Sequence, residues 1–385
     1  MLQGRGGPAP AKAGVRGFKL VPVETGKGKT MNILITGGAG FIGSNLVRYM
    51  VKKYPGYKII NLDKLTYAGN LGNLKEVEKS PGHLFIKGDI CDKAVVQGVF
   101  EKHSIDSVMH LAAESHVDRS ILGPEDFLRT NIFGTYTLLE ACRKYWGRGQ
   151  RKHVFLNVST DEVYGSIPQG SFTVDSPYAP NSPYSASKAG ADHLVRAYNK
   201  TFWLPAITTH SSNNYGPYQL PEKLIPLMIL NALEGKPLPV YGEGKNVRDW
   251  LHVEDHVRAL DMALQRGMET PLPVPYTVYN IGAGSEWKNI DLVKKICLML
   301  DELRPDSPHR PHSKLIKFVK DRPGHDLRYS IDSAKITEEL GWKPAMSLPD
   351  GLKETVRWYI GNTGWADSVR SGDYLEYYEK NYSGR

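Results

Sequence analysis

The chain has 385 residues, 41% hydrophobic and 23% charged, the balance of a soluble globular protein with room for one large or two ordinary domains. Its formal charge of +8 is uneven, because Arg5, Lys12, Arg16, Lys19, Lys27 and Lys29 face Glu24 alone within the first thirty residues. The mild surplus left for the rest suits an anionic small molecule rather than a polyanion groove, so no nucleic-acid partner is expected.

Residues 1–30, rich in Gly, Pro and Lys, read as a flexible basic extension that lacks the apolar run of a signal peptide. Met31, directly before the first strand-like run, reads as the natural start. No stretch approaches the ~20 apolar residues of a membrane helix, so no membrane partner is expected. Cys91, Cys142 and Cys297 lie far apart without CxxC spacing, which predicts neither disulfides nor a metal site and suits a reducing, cytoplasmic compartment.

From Met31 onward, short apolar runs alternate with helix-like segments. MNILIT leads into SNLVRYMVKKY; KIINLD follows; HLFIKGDI leads into KAVVQGVFEKH; SVMHLAA precedes a long stretch ending in WGRGQ; HVFLNVS precedes SPYSASKAGADHLVRAYNKTF; and LPAITTH closes the series. Strict alternation predicts an α/β fold of Rossmann type, a doubly wound parallel sheet with helices on both faces. Strands buried on both faces read as continuous apolar runs, as these do. From Ser211 the pattern loosens into Pro- and Gly-punctuated segments. The expected division is a dinucleotide-binding domain over 31–210 and a smaller α/β substrate domain over 211–385, with the chain crossing back in part.

TGGAGFIG, Thr36 to Gly43, follows the first strand and opens the first helix, placing Gly37, Gly40 and Gly43 three apart. Such glycines permit a tight turn, close backbone approach to a pyrophosphate and close helix packing, while the helix N-terminus offers N–H groups to the anion. Asp63 ends the second strand 20 residues beyond Gly43, where a carboxylate can bind ribose hydroxyls and repel a 2′-phosphate. NAD is therefore favoured over NADP, a preference tempered by neighbouring Lys64. Asp89 in KGDI can face the adenine or cap the following helix.

Tyr184 and Lys188 in YSASK are four apart at the head of a helix-like segment, so both project from one face. A tyrosine titrates near pKa ~10, and a neighbouring ammonium makes it a usable base for an alcohol proton. Alcohol oxidation needs only this pair and a hydroxyl such as Thr160; the adjacent Asp161 and Glu162 in STDEVYG are surplus to it. They make sense if oxidation comes first. A ketone at C4 of a hexose acidifies the C5 hydrogen for one carboxylate, while a neighbouring carboxylic acid protonates the departing C6 hydroxyl. Adjacent acids in a closed site tend to split their pKa values in this way.

TGxxGxxG, Asp63, the Ser-Thr run and YxxxK together make the chain resemble the extended short-chain dehydrogenases/reductases across residues 31–385. Longer motifs narrow the resemblance to the dTDP-glucose 4,6-dehydratases: AAESHVDRS (112–120), STDEVYG, APNSPYSASK (179–188), SSNNYGPYQLPEKLIPL (211–227), NVRDWLHVEDH (246–256), YNIGAG (279–284), DRPGHD (321–326) and the C-terminal GDYLEYYEKNY. The resemblance implies dTDP-glucose as substrate, bound NAD, and a homodimer paired through the helices after Ser115 and Pro183. It makes Thr160 the partner of the C4 oxygen, Asp161 the acid at C6, Glu162 the base at C5, and Tyr184 the base for C4 oxidation beside Lys188. Phe41, Ile42, Ile90, Ala112, Ala113 and Thr130 are expected to join the cofactor site. Ser115, Asn213, Lys223, Tyr241, Arg248, Asn280, Arg322, His325 and Tyr382 are expected at the nucleotide sugar, arginine suiting a diphosphate because its fork bonds two oxygens.

One departure is visible. Many relatives read Arg-Cys-Ser-Asn-Asn where this chain has His210-Ser211-Ser212-Asn213-Asn214, so the contacts behind the sugar should differ. Rival readings are a 4-epimerase, which needs no C5 base or C6 acid, a dehydratase acting on a GDP- or UDP-sugar, and a catalytically idle NAD-binding scaffold.

Overall fold

The structure is a computed structural model that describes residues 30–147, 153–321 and 325–370. Its first half runs β1 (Met31–Thr36), α1 (Phe41–Lys53), β2 (Tyr57–Asp63), β3 (His83–Lys87), α2 (Lys93–His103), β4 (Ser107–His110), the short α3 (Val117–Leu122) and α4 (Glu125–Phe127), α5 (Thr135–Trp146), β5 (Val154–Thr160), α6 (Pro183–Phe202) and β6 (Ala206–Ser211). Then come β7 (Asn213–Tyr215), α7 (Leu224–Leu233), β8 (Leu238–Tyr241), β9 (Val247–His252), α8 (Val253–Glu269), β10 (Thr277–Ile281), β11 (Glu286–Lys288), α9 (Asn289–Leu303), β12 (Ile316–Val319), α10 (Ala334–Leu340), α11 (Leu348–Gly361) and α12 (Thr363–Val369).

Seven parallel strands form the main sheet in the order β10-β6-β5-β4-β1-β2-β3. The order reverses between β1 and β4, and a doubly wound sheet opens a crevice beyond its strand ends at such a switch point. Apolar strand residues are buried on both faces: Ile33, Ile35 and Ile59 belong to one core, Leu34, Ile60 and Phe155 to the other. Each such side chain stabilises the fold by roughly 1.5–3 kcal/mol relative to exposure. The alternating pattern thus describes a real two-faced sheet.

The late part of the chain re-enters this sheet. β10 pairs with β6, and α8 packs on α1, β5 and β6. α10 packs on β10 and α8, while α7, α9 and α11 gather around a separate core that includes Tyr215, Met228, Trp250, Ile296 and Tyr359. Two small sheets, β11-β9-β7 and β12-β8, border that core. No helix among the described residues is long and apolar enough to cross a membrane.

Helix starts follow local chemistry. Asp92 accepts the N–H groups of Ala94 and Val95 and so caps α2, leaving Asp89 to a different task. Ser182 and Ser185 cap α6 reciprocally, with Pro183 in its first turn. That sharp start fixes where Tyr184 and Lys188 emerge.

Candidate active site

One cavity lies at the C-terminal ends of the parallel strands. Gly37, Gly40, Phe41, Ile42, Gly43, Asp63, Lys64, Asp89, Ile90, Ala112, Ala113, Thr130, Thr160, Asp161, Glu162, Tyr184 and Lys188 all line it, as do Ser115, Asn213 and Lys223. Strand ends β1, β2, β4 and β5 therefore converge on the surface that the motifs share.

At its dinucleotide end, backbone does most of the shaping. Gly37 has φ +72°, and a Cβ there would meet the backbone of Ala112 at 2.6 Å; a Cβ on Gly43 would lie 2.0 Å from the Gly37 carbonyl oxygen. Only glycine allows that approach. Gly40 precedes α1 without any side-chain cap, so the first-turn N–H groups of α1 keep their capacity to meet an anion. The two carboxylate oxygens of Asp63 accept the N–H groups of Ala39 (2.9 Å) and Leu65 (2.8 Å). Burial pushes the Asp63 carboxyl above the usual range, while these two N–H bonds pull it back. Lys64 pairs with Asp89 at 2.9 Å, and Asp89 also accepts the Cys91 N–H. The residues present fit a dinucleotide.

At the reactive end, α6 presents Tyr184 and Lys188. The buried Lys188 Nζ donates to the Val158 carbonyl at 2.8 Å. Burial lowers the Lys188 pKa, and the charge of Asp192, one turn further along α6, opposes that shift. Tyr184 is pushed well above an ordinary phenol, first by burial and then by the charge of Glu162, with a Thr160 hydrogen bond working against both. Proton removal to Tyr184 therefore needs added positive charge nearby, which an oxidised nicotinamide would supply.

Thr160 ends β5 and starts a 3-10 turn over Asp161–Tyr164, its hydroxyl accepting the Glu162 N–H at 3.3 Å. This turn puts both acids at the cavity. Asp161 is 3% exposed and its Oδ2 has no hydrogen-bond partner. Burial raises its pKa well above the carboxylate range, the charge of Glu162 adds to the rise, and Arg248 only partly offsets it. Asp161 thus favours its neutral form beside a second carboxyl. A further acid, Glu114, lines the same cavity and is pushed up to about 7 by burial and by Asp126.

The unusual His210 sits behind this surface. Its Nδ1 is 2.9 Å from the Tyr164 hydroxyl, and its Nε2 lies 2.9 Å from the Tyr178 hydroxyl and 3.1 Å from Asp192 Oδ2. Asn157 and Ser159 donate to the same carboxylate, each at 2.7 Å. His210 and Asp192 thus centre a buried polar network behind the cavity.

Four sequence-predicted contacts are not brought to the cavity wall. Asn280 donates to the Phe172 carbonyl and accepts from Tyr164, because β10 turns its side chain into the His210 network. Arg248 donates to the carbonyls of Val247, Leu327 and Asp326 and stacks 4.2 Å from the Tyr329 ring, so its fork is taken up by main chain. Tyr241 donates to Asp118, and His325 is 2.6 Å from Asp321. Arg322 and Tyr382 lie outside the described residues.

Sequence reasoning missed Thr66, Gly69, Asn70 and Asn73 after β2, Tyr218, Gln219 and Glu222 after β7, and Trp365 and Val369 of α12, all of which line the cavity. Asn70 carried a legible signal, as the side-chain cap of a 3-10 turn over Leu71–Leu74. Glu222 is held by Arg119 at 3.2 Å, a pairing across 103 residues that no local pattern announces.

A glycine-built dinucleotide loop, a Tyr–Lys pair and two adjacent acids in one cavity define a nucleotide-sugar-modifying member of the short-chain dehydrogenase/reductase fold. The chain belongs to the GDP-mannose 4,6 dehydratase family, which matches residues 34–355. Within it, the chain is 53% identical over 369 residues to the dTDP-glucose 4,6-dehydratase of Salmonella typhimurium, covering 92% of this chain and all of that relative. A solved dTDP-glucose 4,6-dehydratase from Streptomyces venezuelae with NAD bound is 46% identical, with TM-score 0.80 over 88% of this chain and 100% of that one. A UDP-glucose 4-epimerase from Thermotoga maritima, solved with UDP-glucose, is 30% identical, with TM-score 0.74 over 86% of this chain and 100% of that one.

Proposed function

We propose that the protein is an NAD-dependent dTDP-glucose 4,6-dehydratase, converting dTDP-glucose to dTDP-4-keto-6-deoxyglucose and water. The observation that carries the chemistry is Asp161, buried with its Oδ2 unpartnered directly beside Glu162, in the cavity that also holds Tyr184 and Lys188, where burial pushes its carboxyl toward the neutral form. NAD supplies the acceptor and later the donor of one hydride. Gly37, Gly40 and Gly43 give it a close-packed loop, and Asp63 offers the carboxylate at the end of β2.

Tyr184 takes the proton of the C4 hydroxyl while Thr160 orients that oxygen, and Lys188 holds positive charge beside the phenolate. Glu162 removes the C5 proton made acidic by the C4 ketone. Asp161 gives its proton to the C6 oxygen as the C6–O bond breaks, so water leaves. C6 would receive the hydride taken from C4 and C5 a proton, so the sugar is oxidised at C4, reduced at C6 and unchanged in net oxidation state. Ser115, Asn213 and Lys223 line the cavity where sugar and diphosphate oxygens would be held.

The test is incubation with dTDP-glucose in deuterated water without added cofactor, followed by mass spectrometry and NMR. Loss of one water with deuterium at C5 supports the assignment; a galactose-configured product of unchanged formula would place the protein with the epimerases. Glu162→Gln should abolish C5 exchange, and unchanged turnover in that variant would sink the assignment.

The working form is a homodimer in a reducing cytoplasm. Ile121, Leu122, Leu128 and Phe133 are exposed on or just beyond α3 and α4, an apolar face suited to a second copy. The three cysteines are free and buried. A monomer mass by light scattering at micromolar concentration would refute the dimer.

A further inference from the structure

The dinucleotide loop is tied to the far end of the chain. Ala39, in the middle of that loop, has both main-chain groups engaged: its N–H donates to Asp63, and its carbonyl accepts from Asn70 N (3.0 Å) and Asn73 Nδ2 (2.8 Å). The other end of the Asn73 amide, Oδ1, accepts the indole N–H of Trp365 at 2.7 Å. The Asn73 main-chain carbonyl accepts from Arg48 of α1, whose guanidinium lies 4.1 Å from the Tyr218 ring. Asn73 thus touches both the loop and the helix that the loop opens.

Trp365 is placed for this by aromatic packing. Its ring meets Trp358 at 5.0 Å, Tyr218 at 5.7 Å and Tyr359 at 6.2 Å. Tyr218 is a non-glycine residue with φ +68°, a conformation that persists only where surroundings over-determine it. Trp365, Val369, Asn73 and Tyr218 also line the cavity that the glycine loop lines. A planar amide that donates at one end and accepts at the other transmits orientation, because neither bond can shift without turning the other.

We propose that Trp365 is a positioning residue for the dinucleotide loop: through the Asn73 amide it fixes the Ala39 peptide, and so makes the cofactor leave slowly between turnovers. The inference rests on the assignment of an NAD-dependent dehydratase, since the hydride taken from C4 must be returned to C6 before the cofactor departs. A segment from the other end of the chain closing on the loop serves that requirement.

The test compares the holoenzyme with Trp365→Phe, which keeps a ring but loses the N–H, with Asn73→Leu, which keeps the size but loses both bonds, and with the double variant. Each is mixed with isotopically labelled NAD, and exchange is followed by mass spectrometry of the protein-bound pool, with the melting temperature of the cofactor-free protein recorded alongside. Loss of one neutral hydrogen bond corresponds to about a three- to tenfold faster exchange for Trp365→Phe, and Asn73→Leu should exchange at least as fast. The double variant should exchange no faster than the quicker single one, because the two bonds act as one unit. Wild-type exchange rates in Trp365→Phe overturn the proposal, as do multiplicative effects in the double variant or faster exchange matched by a lower cofactor-free melting temperature. A wild-type protein that holds no NAD and leaves dTDP-glucose untouched would instead overturn the functional assignment on which the inference stands.

Discussion

The two ends of the cavity are built from different material. At the dinucleotide end the shape is main chain: Gly37 and Gly43 press against Ala112 and against each other, and Asp63 is held by two peptide N–H groups. At the reactive end the shape is side chain: Asp161, Glu162, Tyr184 and Lys188 emerge from a 3-10 turn and a helix, with buried groups setting their charge. Backbone-built sites fail through shape, whereas sites built from titrating side chains fail through charge. Substitutions that alter one property at a time separate the two.

Asp161→Asn removes the titrating proton with almost no change of volume. Loss of the proposed C6 acid should lower turnover by about 10²- to 10⁴-fold, while NAD content stays that of the wild type. The same variant should melt higher at pH 7. The Asp161 pKa is raised on folding, so folding costs nothing below its unfolded value of ~3.9 and costs progressively more as pH climbs toward the raised folded value. The gain should therefore shrink at pH 4, as calorimetry at the two pH values would read.

Gly43→Ala does the reverse, adding one methyl and no charge. With its Cβ 2.0 Å from the Gly37 carbonyl oxygen, the loop must move, at a cost of about 1–3 kcal/mol. Bound NAD in the purified protein should fall on the order of tenfold, a 1.4 kcal/mol loss within that range. Full NAD content in this variant would erase the contrast between the two ends.

A third effect lies outside both ends and touches stability alone. His110 and His256 are buried and pushed down to about 3 because burial disfavours imidazolium. The unfolded chain takes up these protons below about 6.5, whereas the folded chain does not until about 3. Stability is thus full above pH 6.5 and falls between 6.5 and 3, by about 2 kcal/mol per histidine at pH 5. Urea titrations of the wild type and His256→Gln isolate this from buried carboxyls such as Asp161 and Glu114, which act in the opposite sense. Equal slopes against pH in the two proteins would remove His256 from the account.

Much of the cavity was legible because its residues are close in sequence. TGGAGFIG, YSASK and STDEVYG are local units whose spacing dictates a βα turn, one helix face and a strand end, so local geometry and chemistry are read together. The parallel strands were legible for a similar reason, since two-sided burial imposes continuous apolar runs. Asn280 and Arg248 lay beyond that reach: whether a strand residue faces a cavity or a buried network depends on what packs behind it, here Phe172, His210 and the 326–327 main chain. Trp365 lay further still. No periodicity links an indole to an amide 292 residues away, and only the packing of α12 against Tyr218 and Trp358 brought them together. By itself, then, the sequence determined the chemistry and the sheet, because backbone conformation and helical spacing are short-range properties. Which groups stand at the cavity, which are locked behind it and what holds the loop in place were decided by tertiary packing, because burial and pairing are properties of distant segments once they meet.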